Sequence, residues 1–364
     1  MDSPYRKELE IAFGVLRQAS KLSQHLVNSK DKGAITKNDQ SPVTLADFAI
    51  QALLAATFKD AFPEDTFVGE EDSSKMRQDL LLLENVWELL QWLSEDKETA
   101  KLCKLPASRQ DMCDLIDQCG KSAPAREGRT WIFDPIDGTK AFVSGHLYAI
   151  NIGLLVDGEQ ALGAVGCPNL SINAKAPLRN EDVDPEGKGC IVYAVKGHGA
   201  FVCPLADTDT SPRQLSAPEI TKTEDIRFVS CLGHGYSALP GIHEDIGQRL
   251  GAPAPTCDLI AWVLRWVSLA MSFGNATVWI YKDRKRCGKV WDHAGAMLLF
   301  EEAGGKITCA LGKKISLKSG RLMEQNFGFV AGPNSEVFND LLTTTRQAIQ
   351  DAGYGHWLEE KGSL

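Results

Sequence analysis

The chain has 364 residues, 43% of them hydrophobic, and a formal net charge of -9. That length supports more than one packed unit, and the acidic balance argues against a polyanion-binding surface, so nucleic acid is not expected as a partner. No apolar run reaches the ~18 residues of a membrane span, and ten cysteines without a CxxC pair read as reduced, mostly core thiols; no membrane association and a cytoplasmic location are expected.

Met1 to Tyr5 is polar, with no apolar segment of the kind a secretory leader needs. From Tyr5 to Val27, Leu9, Ala12, Leu16, Ala19, Leu22 and Leu26 recur at helical spacing and define an amphipathic helix. Lys30 to Gln40 loses that period and ends at Ser41-Pro42, which reads as an exposed loop. Thr44 followed by Asp47 has the form of a capping box, and Leu45, Ala49, Leu53 and Ala56 supply the apolar stripe of a second helix. Ser73 to Arg129 is dominated by helical patterns and reads as an inserted helical layer.

From Thr130 the pattern changes to strands. Tyr148 to Val156 and Ala161 to Cys167, separated by Asp157-Gly158, predict a hairpin, and Cys190 to Val195 with Ala200 to Val202 predict another, so the sheet is expected to be antiparallel. Beyond Pro212, short apolar segments (Ile226 to Cys231, Thr277 to Tyr281, Lys306 to Cys309, Phe327 to Ala331) alternate with helical ones (Leu259 to Phe273, Trp291 to Glu302, and a last helix from Ser335). The expected fold class is α/β: an α+β unit with an antiparallel sheet over 1–215, joined to an α/β unit over 216–364.

Four acidic stations terminate apolar elements: Asp47, Glu70 with Glu71, Asp134 with Asp137, and Asp292. Asp47 alone has the simpler reading of a cap, Glu70 with Glu71 that of a solvated turn, and Asp292 that of a helix cap. Asp134-Pro-Ile-Asp137-Gly-Thr139 is different, because two acids beside bulky apolar residues are poorly explained by a turn. Unit charges about 4 Å apart repel by roughly 4 kcal/mol at an effective dielectric near 20, so the pair calls for a cation or strong donors. If Glu70, Asp134, Asp137 and Asp292 converge, with the Ile136 carbonyl as a further ligand, the all-oxygen set favours Mg2+ or Mn2+. Two such ions would clamp a phosphate and activate water. Gly138 permits a turn with positive φ, and Thr139 presents a hydroxyl and a backbone N–H where an anion could sit. The basic run Lys282-Asp-Arg284-Lys285-Arg286, with Lys289, could bind phosphate but is read first as a solvated loop; His234 and His243 lack metal-ligand spacing, and the Trp262 and Trp266 pair reads as core.

Ser41-Pro-Val-Thr44-x-Ala46-Asp47, Gly69-Glu-Glu71-Asp72, Trp131-Ile-Phe-Asp134-Pro-Ile-Asp137-Gly-Thr139, and Trp291-Asp292-His293-Ala294 with Glu302-Ala-Gly304-Gly305 occur in the order found in the lithium-sensitive, Mg-dependent phosphomonoesterase superfamily that includes inositol monophosphatase. The chain resembles that superfamily over nearly its whole length. The resemblance implies a layered α/β/α/β/α sandwich. It implies metal ligation by Glu70, Asp134, the Ile136 carbonyl, Asp137 and Asp292, and water activation by Asp47 and Thr139. Phosphate contacts would come from Gly138 and Thr139, and Asp292 would also contact the substrate.

It also implies Mg2+ as cofactor, Mn2+ as a substitute, inhibition by Li+ and Na+, and a small phosphorylated substrate; a monomer is compatible with it. The long helical segment between Glu70 and Asp134 is similar to that of the nucleotidase and inositol polyphosphate phosphatase branches. The wording around Asp137 to Leu170 is similar to the nucleotidase branch, which implies removal of the 3'-phosphate of adenosine 3',5'-bisphosphate and of its sulfated relative. An inositol phosphate phosphatase of the same fold is the alternative, and a binding regulator without turnover is a third reading. On the substrate side His243 corresponds to a histidine near the nucleotide. Arg265, in Trp262-Val-Leu-Arg265, stands where the family's Ser-x-x-Lys has its lysine. The loop from Lys30 to Gln40 is expected to close over the site as a lid.

Overall fold

The computed structural model describes residues 4–27, 35–36, 42–207, 209–232, 237–252 and 255–359. Helix α1 (Arg6–Val27) buries the six apolar side chains predicted for its inner face. Each buried Leu contributes about 1.5–3 kcal/mol. A short ribbon of β1 (Ile35–Thr36) and β2 (Pro42–Val43) leads into α2 (Leu45–Ala61), and β3 (Thr66–Gly69) follows. The remainder of the expected lid loop, and His234, lie outside the described residues. The inserted helical layer consists of α3 (Ser74–Gln78), α4 (Leu80–Ser94), α5 (Lys97–Leu102) and α6 (Arg109–Lys121).

Next come β4 (Arg129–Asp137), α7 (Thr139–Val143), β5 (Ala149–Val156), β6 (Glu159–Cys167), β7 (Leu178–Arg179), β8 (Cys190–Val195), β9 (Gly199–Pro204) and β10 (Arg213–Leu215). Asp157 (φ 52°) and Gly158 (φ 73°) both take the left-handed conformation that a two-residue hairpin demands, as the Asp-Gly pair predicts. The large sheet has seven strands in the order β10-β9-β8-β6-β5-β4-β3. One pairing departs from the antiparallel expectation: β3 runs parallel to β4. A parallel neighbour needs a long crossover, and the helical insertion between the two strands supplies it.

Past residue 215 the elements are β11 (Val229–Ser230), α8 (Ile242–Arg249), β12 (Cys257–Asp258), α9 (Trp262–Ala270), β13 (Thr277–Trp279), α10 (Val290–His293), α11 (Ala296–Glu302), β14 (Gly305–Thr308), β15 (Phe329–Pro333) and α12 (Glu336–Ile349). The segment β11-β12-β7 is a small parallel sheet, and β13-β15-β14 is antiparallel. The strand expected over Ile226 to Cys231 shrinks to Val229–Ser230. Helices α1 and α2 cover one face of the large sheet and α9 and α11 the other; α11 also touches β14, and α12 with α8 closes the far side. This is the expected layered arrangement. A division after residue 215 falls just past β10, while one cluster of buried side chains runs across it from Ile132 and Val192 to Leu264 and Phe300. No described helix is long and apolar enough to cross a membrane, and eight of the ten cysteines are buried.

The helix expected from Trp291 to Glu302 is interrupted between α10 and α11, although Ala294 and Gly295 keep right-handed helical dihedrals. Sheet side chains take its carbonyls: Asn151 Nδ2 donates to Trp291 O at 2.7 Å and Gln160 Nε2 donates to Ala294 O at 2.6 Å. The backbones meet because three glycines face one another. A Cβ on Gly163 would lie 2.1 Å from Gly295 O, and one on Gly153 2.7 Å from Gly295 N. Gly163→Ala is therefore expected to push α10 off the sheet at a cost of about 3 kcal/mol, measurable by urea unfolding. A loss under about 1 kcal/mol would mean that the helix end yields freely.

Candidate active site

Strand β4 is buried along almost its entire length and carries acids only at its end. In a regular strand Asp134 and Asp137, three apart, would face opposite sides of the sheet. Pairing with β5 goes from Asp134↔Asn151 to Asp137↔Ala149, so three steps on β4 match two on β5. That one extra residue, in a bulge containing a proline that has no N–H to lose, brings both carboxylates to one side. Gly138 then turns the chain at φ 84°, where a Cβ would also stand 2.8 Å from the Ala261 Cβ.

Asp292, near the start of α10, joins them: carboxylate oxygens of Asp134, Asp137 and Asp292 lie within 4.8 Å of one another. Asp134 is 1% exposed, and its Oδ1 has no hydrogen-bond partner among the described residues. Burial, then Glu70 and the neighbouring aspartates, holds the Asp134 carboxyl well above the usual carboxylate range. Asp137 is raised by burial and by Asp292, although Val263 N–H donates to its Oδ2 at 2.5 Å. Such a cluster is strained without positive charge and fits a hard divalent cation through its oxygen donors.

Asp47 is fully buried at the first turn of α2 and divides its two oxygens between two tasks. Oδ2 accepts from the Thr44 N–H at 2.8 Å and the Thr44 hydroxyl at 2.7 Å, closing the capping box that the sequence predicts. Oδ1 faces the Thr139 hydroxyl at 3.4 Å, and that hydroxyl also lies 3.2 Å from the Ile136 carbonyl. The described capping bonds thus fall on Oδ2, and the Thr139 contact on Oδ1.

Glu70 stands at the rim, outside the three-carboxylate group, with Lys289 Nζ 4.0 Å from its Oε1. Lys289, which the sequence placed with the basic run, borders the site, as do three groups missed there: Asn151, the Val263 N–H and Arg321. Only Asn151 carried a signal, as a polar residue inside an otherwise apolar strand.

His243 and Arg265, the two residues expected on the substrate side, sit in different surroundings. The Arg265 side chain is buried, donates to Leu259 O at 2.9 Å and Ile260 O at 3.1 Å, and lies against the rings of Trp262 and Trp279 at 4.1 and 4.6 Å. Its charge reaches Asp137 from behind and favours the ionised carboxylate. Its Nη1 is buried and has no partner among the described residues.

His243 stacks on Trp279, accepts the Ile280 N–H through Nε2 at 3.1 Å, and borders a cavity of about 240 Å³ with Phe228, Gln248 and Val278. Burial and Arg265 lower its pKa from 6.5 to about 4. A depressed histidine pKa contributes stability that is fully present above 6.5 and lost as pH falls through about 4. Unfolding free energy is expected to drop by roughly 2–3 kcal/mol from this group over that window. His243→Gln, which keeps an acceptor, should flatten that slope in denaturant titrations at pH 7 and pH 4; an unchanged slope would assign the loss to other groups. Of the basic run, Arg284 donates to Trp357 O at 3.0 Å and covers the Phe327 ring, which makes it structural.

The model of the inositol monophosphatase family matches residues 5–350. Among curated relatives, the 3'(2'),5'-bisphosphate nucleotidase of Schizosaccharomyces pombe is 36% identical over 93% of this chain and 94% of its own. That of Emericella nidulans is 34% identical over 95% and 99%. Among solved structures, the IMPase of Thermotoga maritima superposes with a TM-score of 0.60 at 16% identity, covering 95% of this chain and 99% of its own. Inositol monophosphatase II of Staphylococcus aureus gives 0.57 at 18% identity, covering 94% and 96%. At those identities the structures speak for the fold alone.

Proposed function

The chain belongs to the inositol monophosphatase family, and from that premise we propose that it is a divalent-cation-dependent phosphomonoesterase that removes the 3'-phosphate of adenosine 3',5'-bisphosphate. The observation that carries the reading is the meeting of Asp134, Asp137 and Asp292, with an unpartnered Asp134 oxygen, beside the Asp47 and Thr139 pair. The nucleotide substrate is taken from the two relatives named for it.

Asp134, Asp137 and Asp292, with Glu70 and the Ile136 carbonyl, would hold Mg2+ or, in its place, Mn2+. Bound there, the cation supplies neutralising charge and Lewis acidity at the phosphoryl oxygens. The chain itself orients water and takes its proton. Thr139 Oγ1 accepts a proton from the attacking water while passing its own to Asp47 Oδ1, 3.4 Å away. The water oxygen forms a bond to phosphorus as the bond to the 3'-oxygen breaks, the departing 3'-oxygen takes up a proton from solvent water, and the proton held by Asp47 returns to solvent. Backbone N–H groups of Gly138 and Thr139, at the turn where φ becomes positive, would receive the phosphate oxygens. Positioning of this kind accounts for up to ~7–11 kcal/mol of barrier lowering.

Turnover of adenosine 3',5'-bisphosphate, inositol 1-phosphate and inositol 1,4-bisphosphate in Mg2+, with and without Li+, tests the reading. Preferred release of phosphate from the nucleotide, inhibited by Li+, is the expected result. Preference for either inositol phosphate would replace the substrate assignment, and tight nucleotide binding without phosphate release would replace the enzyme by a regulator.

A further inference from the structure

The loop between β14 and β15 reaches across to the rim of the site through one side chain. Arg321 donates from Nη2 to Gly69 O at 2.7 Å and Glu70 O at 3.2 Å, and from Nη1 to Cys119 O at 3.1 Å and Ser122 O at 3.0 Å. Four main-chain carbonyls, from the end of β3 and from the end of α6, thus converge on one guanidinium. The same group lies 4.6 Å from the ring of Trp291, the residue before Asp292. Its main chain is tied to that helix as well, since Val290 N–H donates to Arg321 O at 2.9 Å and Met323 N–H donates to Gly288 O at 2.9 Å.

Glu70 and Asp292 come from segments more than two hundred residues apart, and neither covalent geometry nor a shared strand relates them. We propose that Arg321 is the positioning residue that sets their separation, and through it the affinity of the site for a divalent cation. A planar fork with five donors suits four carbonyls and a ring face at once; a lysine ammonium has three donors and no plane. The guanidinium is engaged by main-chain carbonyls and the Trp291 ring. It acts through the Glu70 main chain and the Trp291 ring, in the manner of groups outside the ligand set that orient ligands and alter metal affinity about 10- to 100-fold.

This inference rests on the carboxylates being a metal site, so the experiment separates the two. Mn2+ alone is titrated calorimetrically into the wild-type chain, Asp134→Asn, Arg321→Lys and Arg321→Ala, with melting in chelator as the measure of folding. Wild type is expected to bind, Asp134→Asn to lose binding, and folded Arg321→Ala to show a dissociation constant raised about 10-fold or more. Arg321→Lys should fall between wild type and Arg321→Ala. The KM for substrate at saturating metal should stay within about twofold of wild type, which a general loosening of the fold would not preserve. Should Arg321→Ala not fold, Arg321→Lys decides: a rise of about threefold or more supports the assignment and a smaller one overturns it. Dissociation constants unchanged in the Arg321 variants, with binding lost in Asp134→Asn, overturn the role of Arg321 alone. No Mn2+ binding by wild type overturns the metal reading and this one with it.

Discussion

Asp134→Asn is expected to lower cation-dependent phosphatase activity by about 10²- to 10³-fold, the range that follows loss of one element of a preorganised electrostatic site. The cation-free protein should become more stable by about 1–2 kcal/mol, because a buried carboxylate crowded by like charges is replaced by a neutral isostere. The sign follows from the direction of its shift. A carboxyl held above its unfolded pKa favours folding while protonated and loses that contribution as pH rises through the raised value. The gain from Asn should therefore be largest at neutral to alkaline pH without metal and vanish, or reverse, when wild type is saturated with Mg2+. Steady-state rates together with melting in chelator and in Mg2+ check both halves. An Asn protein with full activity would remove Asp134 from the site, and one destabilised in chelator would make the carboxylate a structural acceptor.

Asp47→Asn is expected to cost about 10²- to 10⁴-fold in kcat, the usual contribution of a positioned base. The stability loss should be only about 1 kcal/mol, the cost of a weakened helix cap. An amide has one accepting end. With its oxygen turned to the Thr44 N–H, it presents an N–H to Thr139, which can then no longer pass on a proton. Thr139→Val removes the other half of the relay, and the double variant should be little worse than either single one, since the two act as a unit. Chemical unfolding and kcat as a function of pH separate cap from base; a variant that loses stability and activity in proportion would reduce Asp47 to its capping role.

The reach of the sequence differed from element to element. The opening helix, the capping box, both hairpins and the inserted helical layer were legible because each rests on contacts between residues near in the chain. Their periods of 3.6 or 2, or their turn residues, are written in consecutive positions. The parallel placement of β3 was not legible, since a short strand followed by a long helical insertion carries no mark of its direction. The helix expected from Trp291 to Glu302 was read as continuous because nothing local announces that Asn151 and Gln160, well over a hundred residues earlier, take two of its carbonyls. Arg265 is expected on the substrate side from the resemblance. In the fold its charge is surrounded by two indole rings and two carbonyls, a consequence of where α9 packs.

By itself, the sequence determined the turn from Asp134 to Thr139: two acids, a residue free to take positive φ and a hydroxyl, all within six positions and so held together by covalent geometry. It also determined the link from Thr44 to Asp47, which spans one helical turn. Only the tertiary structure decided that Asp292 completes the carboxylate group, that the Val263 N–H steadies Asp137, and that Arg321 binds the turn carrying Glu70. Those partners are separated by more than a hundred residues. Their approach is set by how a sheet, two helices and a loop pack around a common core, and no local spacing encodes that distance.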